Sequence, residues 1–317
     1  MMLIANQTSG SRISLDEPIV VGLVNNMPDS ALRTTERQFQ SLLSAASDGR
    51  EIRVRYFSLP ELFRGEAARA RINERYEDLS ELWPSKIDGL VVTGTEPRAS
   101  ELRDEPYWAT LTKLVDWAES HTNSSIWSCL AAHAAVLHLD GISRRRLPEK
   151  LSGVFCSVRA GDHQIVSGTA DRWSIPHSRY NDLPEELLAA RAYRVLSRSA
   201  ATGADWFVKE GKSLFVFIQG HPEYERATLL HEYRRDVARF LSAERDSYPV
   251  MPCGYFDDAA VAALASFREQ ALSNRCGDLL ANFPAAKVEE RLSYGWRDAA
   301  VRMYANWVSY LAERKSC

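Results

Sequence analysis

The chain has 317 residues, of which 45% are hydrophobic and 26% charged, and its formal net charge is −3. That length accommodates two domains or one large α/β domain with extensions, and the apolar share excludes a chain disordered throughout. The near-neutral balance supplies no general basic field for nucleic acid or anionic lipid, and the longest apolar stretches, such as Leu214 to Ile218, are far too short to cross a bilayer.

Residues 1–17 read as a polar arm without the basic and apolar regions of a signal peptide. Pro18 to Val24 is an apolar run of strand length that ends in the turn cluster Asn25-Asn26-Met27-Pro28-Asp29. Thr35 to Ala46 has helical spacing, with Phe39, Leu42 and Leu43 on one face, and Ile52 to Phe57 alternates as a strand. Ile87 to Thr95 is a third strand, running into a glycine turn. Trp108 to Glu119 is an amphipathic helix, and Ser124 to Cys129 is a short strand followed without a breaker by the alanine-rich helix Leu130 to Leu137. Further strands are expected at Gly153–Val158, Ala192–Ser197 and Leu214–Ile218, and a helix at Thr228 to Leu241.

Strands alternating with helices, several strands being wholly apolar, predict an α/β fold with a mostly parallel sheet flanked by helices. The expected organisation is an arm over 1–17, a catalytic α/β domain over 18–245 and a helical, aromatic-rich C-terminal extension over 246–317 packed on it.

Five cysteines, Cys129, Cys156, Cys253, Cys276 and Cys317, are widely spaced and form no CxxC pair. This argues against a disulfide framework and a zinc site, and for a reducing cytoplasm. His133, His138 and His163 share no short ligand spacing with cysteines or carboxylates, so no metal is expected.

Cys129 falls where a strand ends and a helix begins. There a tight turn can lift a thiol above a sheet and the helix N-terminus can favour its thiolate. The flanking Trp127-Ser128-Cys129-Leu130-Ala131 fits a nucleophile elbow incompletely, and on this segment alone a buried, inert thiol is an equal reading. His221-Pro222-Glu223 follows another apolar strand and can place an imidazole with a carboxylate behind it. Taken together, Cys129, His221 and Glu223 suit covalent acyl chemistry through a thioester. The amides around Gly94 and Thr95, with that of Leu130, are candidates for an oxyanion hole.

The sequence resembles the homoserine O-acyltransferases of the succinyltransferase family, which are similar in fold to class I glutamine amidotransferases, a flavodoxin-like three-layer arrangement. The resemblance runs from about Val20 to Tyr310. Its markers are Asn26-Met27-Pro28, Thr35-Glu36-Arg37-Gln38, Asp88 to Gly94, Tyr107-Trp108, Leu147-Pro148-Glu149-Lys150, Pro176-His177-Ser178-Arg179, Gln219 to Tyr224, Glu232 to Asp236, Trp296-Arg297 and Asn306-Trp307. It implies Cys129 as the acyl-thioester nucleophile, His221 as proton acceptor and Glu223 as its orienting carboxylate. It also implies that Arg235 holds the amino acid's α-carboxylate and that Lys150 and Ser178 line the substrate site. An acyl-CoA co-substrate, no bound cofactor and a homodimer follow from the same likeness.

Two departures stand out. Cys129-Leu130-Ala131-Ala132-His133 replaces the family's usual Cys-Trp-Gly-Ala-Gln, so His133 is expected to change the pocket wall. Pro28 is followed by Asp29, and no residue matches the family's usual lysine. At the position where acetyl-preferring members tend to carry glutamate stands Arg98, whose charge would attract a succinyl carboxylate if it faces the donor. The expected activity is transfer of succinyl, with acetyl as second choice, from CoA to L-homoserine in methionine biosynthesis. Acylation of another hydroxy amino acid such as L-serine, a glutamine amidotransferase-like hydrolase and an inactive ligand-binding paralogue are the alternatives.

Overall fold

The computed structural model describes residues 17–315, so the expected N-terminal arm lies, apart from Glu17, outside the described residues. In chain order the elements are β1 (Ile19–Val24), α1 (Asp29–Ala46), β2 (Ile52–Phe57), α2 (Glu66–Arg75), β3 (Gly89–Val92), α3 (Trp108–His121), β4 (Ser124–Ser128) and α4 (Leu130–Asp140). Then follow β5 (Arg145–Arg159), β6 (Arg172–Asp182), α5 (Glu185–Ala189), β7 (Arg194–Val195), β8 (Ser197–Ser199), β9 (Gly203–Ala204), β10 (Trp206–Glu210) and β11 (Leu214–Ile218). The chain closes with α6 (Thr228–Leu241), α7 (Asp258–Ser273), α8 (Ala285–Glu289) and α9 (Arg297–Lys315).

Seven strands form the main sheet in the order β2-β1-β3-β4-β11-β10-β7. The first five are mutually parallel, and β10 and β7 close one edge in antiparallel pairing. Successive side chains point to opposite faces. Leu90, Val92, Trp127, Phe215 and Phe217 therefore pack with α3 and α4, whereas Leu23, Val91, Ile126 and Val216 pack with α1 and α9. The expected α/β fold with a mostly parallel, two-faced sheet is present.

The strand expected at Gly153–Val158 is present as part of the longer β5, which belongs to a second, four-stranded antiparallel sheet, β6-β5-β8-β9. The long β5/β6 hairpin carries polar and basic residues on both faces, and that composition hid its length. The stretch expected as one strand at Ala192–Ser197 divides, with β7 serving the main sheet and β8 the second one. In the loop before α1, Arg64 donates to the carbonyl of Met27, and Asp29 starts the helix six residues earlier than the apolar spacing implied.

The segment after residue 245 has two jobs. Helices α7 and α8 build a separate core with α6 around Leu230, Leu264, Phe267 and Trp296. Helix α9 covers the main sheet beside α1: Trp307 is fully buried and its Nε1 donates to Ser124 Oγ (2.9 Å). A Cβ on Gly89 would lie 2.6 Å from Leu311 and 2.8 Å from the Trp307 ring, so α9 sits on the strand as closely as only glycine permits.

Candidate active site

Strand β4 is buried along its whole length, and the chain must reverse within one residue to enter α4. Cys129 makes that reversal, with φ 53° and ψ −113°. A non-glycine residue at positive φ stores roughly 1–3 kcal/mol of strain and persists only where the surroundings over-determine it. Here the Cys129 amide donates to the Ile218 carbonyl (2.7 Å) and the His133 amide closes the first helical turn on the Cys129 carbonyl (3.2 Å). Cys129 is partly exposed, which distinguishes it from an inert core thiol.

β11 lies beside β4 in parallel register, Ile218 opposite Ser128, so the residues just after each strand emerge side by side. His221 and Glu223 thereby reach the same end of the sheet as Cys129. His221 Nδ1 lies 2.8 Å from Glu223 Oε1, and both side chains are buried. His221 and Cys129 line the same cleft, and the Cys129 sulfur is close enough to act electrostatically on the ring. Burial disfavours the imidazolium, but the Glu223 carboxylate and the Cys129 sulfur outweigh it and raise the ring well above the usual histidine range. Tyr224 stacks on His221 at 4.3 Å between centroids and fixes its plane.

These groups open on a cleft of about 520 Å³. Gly94, Thr95 and Leu130 line it next to Cys129. A Cβ at Gly94 would stand 3.1 Å from the Leu130 amide nitrogen, so the loop after β3 is pressed against the start of α4, where the first amides lack intrahelical partners. The loop after β3 and the start of α4 thus border the cleft together beside Cys129.

Lys150 lies at the register shift of β5 between Arg146 and Leu151, a kind of irregularity that redirects side chains. Its Nζ donates to Asp236 Oδ2 (2.8 Å). Burial opposes ionisation of Asp236, but the Lys150 cation prevails and holds the carboxyl below its usual range. Ser178, on β6, donates to Glu232, which also accepts from the Tyr224 hydroxyl (2.7 Å). Arg235 lines the same cleft, half-exposed, 3.6 Å from Asp236.

The structure thus gathers Cys129, His221, Glu223, Lys150, Ser178, Arg235, Gly94, Thr95 and Leu130 around one space. It places Arg98 elsewhere: the side chain is exposed, with its guanidinium over the Phe63 ring (5.8 Å), and it is not among the lining residues. A part for Arg98 in donor choice therefore rests on its sequence position alone. The expectation that His133 alters the pocket wall is corrected. His133 is buried inside α4, and its Nε2 meets Gln219 Oε1 (3.0 Å) away from the cleft. His138 pairs with Asp116 and His163 caps a short helical turn, and among the described residues no group of three ligating side chains is placed to hold a metal.

Glu232, Asp236 and Tyr224 had been given no role from the sequence. The signal was available on α6: Thr228, Glu232, Arg235, Asp236 and Arg239 recur at helical spacing, and all five line the cleft.

The family model for homoserine O-succinyltransferase matches residues 3–316. The chain belongs to the homoserine O-succinyltransferase family. It is 47% identical over 304 residues to the homoserine O-succinyltransferase of Rhodopseudomonas palustris, covering 96% of this chain and 91% of that protein. The namesake from Methylorubrum extorquens is 46% identical (93% and 87% covered), and that from Thiothrix nivea 39% (91% and 81%). Among solved structures, a glutamine amidotransferase from Methylobacillus flagellatus superposes with a TM-score of 0.51 at 15% identity, covering 92% of this chain and 94% of that one. That likeness bears on the fold, which is of the class I glutamine amidotransferase type.

Proposed function

We propose that the cleft transfers a succinyl group from succinyl-CoA to the hydroxyl of L-homoserine by double displacement through a Cys129 thioester, a step of methionine biosynthesis. The observation that carries this is the buried His221 ring, bonded to Glu223 and facing one cleft with the sulfur of a residue at positive φ. The Cys129 thiol gives its proton to His221 and its sulfur attacks the thioester carbonyl, whose oxygen takes the negative charge beside the Gly94, Thr95 and Leu130 amides. The intermediate collapses, the C–S bond to CoA breaks, and His221 returns the proton to the CoA sulfur. His221 then takes the proton of the homoserine hydroxyl as that oxygen attacks the enzyme thioester. Collapse of the second intermediate breaks the C–S bond to Cys129 and gives the ester, and His221 passes its proton back to the Cys129 sulfur.

The acceptor's charges are met by complementary ones. Arg235 offers a fork to the α-carboxylate, and the Glu232 and Asp236 carboxylates beside it suit an ammonium group. Lys150 and Ser178 hold those carboxylates in place. The names of the relatives support succinyl as the donor and homoserine as the acceptor. A homodimer in the cytoplasm completes the reading.

Succinyl-CoA incubated with the protein should leave a succinyl mass adduct on Cys129, lost on adding homoserine but not serine or glutamine. Double-reciprocal plots at several homoserine concentrations should be parallel. Absence of an adduct from both succinyl-CoA and acetyl-CoA, or intersecting lines, overturns the mechanism.

A further inference from the structure

Beneath the His221 loop lies a set of buried ionisable groups with no part in the proposed chemistry. Asp205, between β9 and β10, is fully buried. Its carbonyl accepts from the Gln219 amide (3.0 Å) and its Oδ1 from the Gly220 amide (2.7 Å), while its own amide donates to Ser197 (2.9 Å). The next amide, that of His221, donates to the Pro176 carbonyl of β6 (2.8 Å). Three successive residues ending in His221 are thus held by Asp205 and β6. A Cβ on Gly220 would meet Asp205 Oδ1 at 2.9 Å and Ile175 at 2.8 Å, so the carboxyl approaches the backbone as only glycine allows.

His177, also fully buried, stands behind Asp205, with Nε2 3.8 Å from Oδ1. Its Nδ1 accepts from Arg179 Nε (3.4 Å), which leaves the proton of the neutral ring on Nε2, facing Asp205. Asp205 Oδ2 and His177 Nε2 have no hydrogen-bond partner. A fully buried carboxyl with one idle oxygen costs more than a single amide bond returns. What it does fix is the backbone that presents the imidazole.

We propose that Asp205 is a positioning residue: its carbonyl and carboxyl clamp the Gln219–Gly220 peptides so that His221 meets Cys129, with His177 as a brace. The inference rests on the proposed roles of Cys129 and His221. The groups facing Asp205 are His177 and Arg179 from β6 and His221 from the loop after β11. Burial pushes the Asp205 carboxyl up to about 7, although the Gly220 amide and the Arg179 and His221 cations pull the other way. Burial and the neighbouring Arg179 and His221 cations keep His177 neutral. Asp205 therefore changes charge near neutrality beside the imidazole it positions.

Asp205→Asn and Asp205→Ala in the full chain separate the clamp from the charge. Alkylation of Cys129 by iodoacetamide, followed between about pH 5 and about pH 9, reads the thiol–imidazole pair without any acyl donor. The values of kcat and KM come from CoA release. Asp205→Ala should lower both neutral-pH alkylation and kcat by about 100-fold with KM little changed, the cost of a misplacement near 1 Å. Asp205→Asn keeps an acceptor for Gly220 and should stay within about threefold in kcat, while losing the inflection near neutrality. The proposal is overturned if folded Asp205→Ala alkylates and turns over like the parent, or if Asp205→Asn keeps the parent's pH profile. Should the alanine variant fail to fold, Gly220→Ala, whose Cβ pushes the peptide off Asp205 Oδ1, reads the clamp instead, and alkylation at the parental rate overturns the proposal. If the parent forms no succinyl adduct, the proposed function fails, and the alkylation arm still judges Asp205.

Discussion

The amide of Cys129 donates to the carbonyl of Ile218 at 2.7 Å, so the turn that carries the sulfur is tied to the strand that delivers His221 three residues later. Two parallel strands with adjacent ends bring together groups 92 positions apart in the chain. The sulfur and the ring are thereby set by sheet register, which is stiff, rather than by a free loop.

Glu223 should govern both rate and pH dependence. Burial works against the His221 imidazolium, and the Glu223 carboxylate is the chief group opposing that effect. Glu223→Gln removes this attraction, so the ring's pKa falls and the alkaline limb of Cys129 acylation moves to lower pH. A drop in kcat of about 10²–10⁴-fold is expected from a mis-set tautomer. Stopped-flow acylation by succinyl-CoA over a pH series checks both, and an unmoved limb would contradict the pairing.

Arg235 should act in the second half-reaction alone. Loss of a charged hydrogen-bond partner costs about 1.5–3 kcal/mol, so Arg235→Ala should raise KM for homoserine by about 10–100-fold. Arg235→Lys should fall between, because an ammonium cannot fork onto a carboxylate. Formation of the acyl-enzyme from succinyl-CoA should proceed at the parental rate in both. Slowed acylation would place Arg235 on the donor instead.

His133 should make the fold acid-sensitive. Burial, with the nearby Arg179 and Arg144 cations, depresses its pKa to about 3 from the ordinary 6.5. A group depressed in the folded state contributes full stability above its unfolded pKa and loses it as pH falls from about 6.5 toward about 3, because the unfolded chain takes the proton first. His133→Gln keeps a donor for Gln219 and cannot titrate. Its urea midpoint should fall less steeply over that window, by on the order of a few kcal/mol, with neutral-pH turnover retained. Matching acid slopes in the two proteins would rule this out.

Trp307 tests whether α9 is an integral layer. It is fully buried, bonds Ser124 and sits against Gly89. Trp307→Ala should cost about 3–5 kcal/mol in equilibrium unfolding. Because Trp307 is not among the cleft-lining residues, the folded fraction should keep its kcat. A shift under about 1 kcal/mol would mean that α9 rests only loosely on the sheet.

The alternation of apolar runs and helical spacing determined the α/β class, the parallel strands β1 to β4 and β11, and the helices α3, α4 and α6, because periodicity and burial are local properties written into each segment. The ordered motifs likewise marked the site: all but Arg98 of the candidate site residues line the cleft. What only the tertiary structure decided depends on contacts between distant segments. Only Gly153–Val158 of the β5/β6 pair was legible, because the rest of β5 and much of β6 is polar and the register shift at Lys150 is set by pairing. His133 was assigned to a wall and lies in the core, since the side of α4 that faces Gln219 is fixed by β11. Asp205 carried no motif, and its relation to His221 exists only because β10 lies beside β11, where the fold brings a buried carboxyl to a glycine amide.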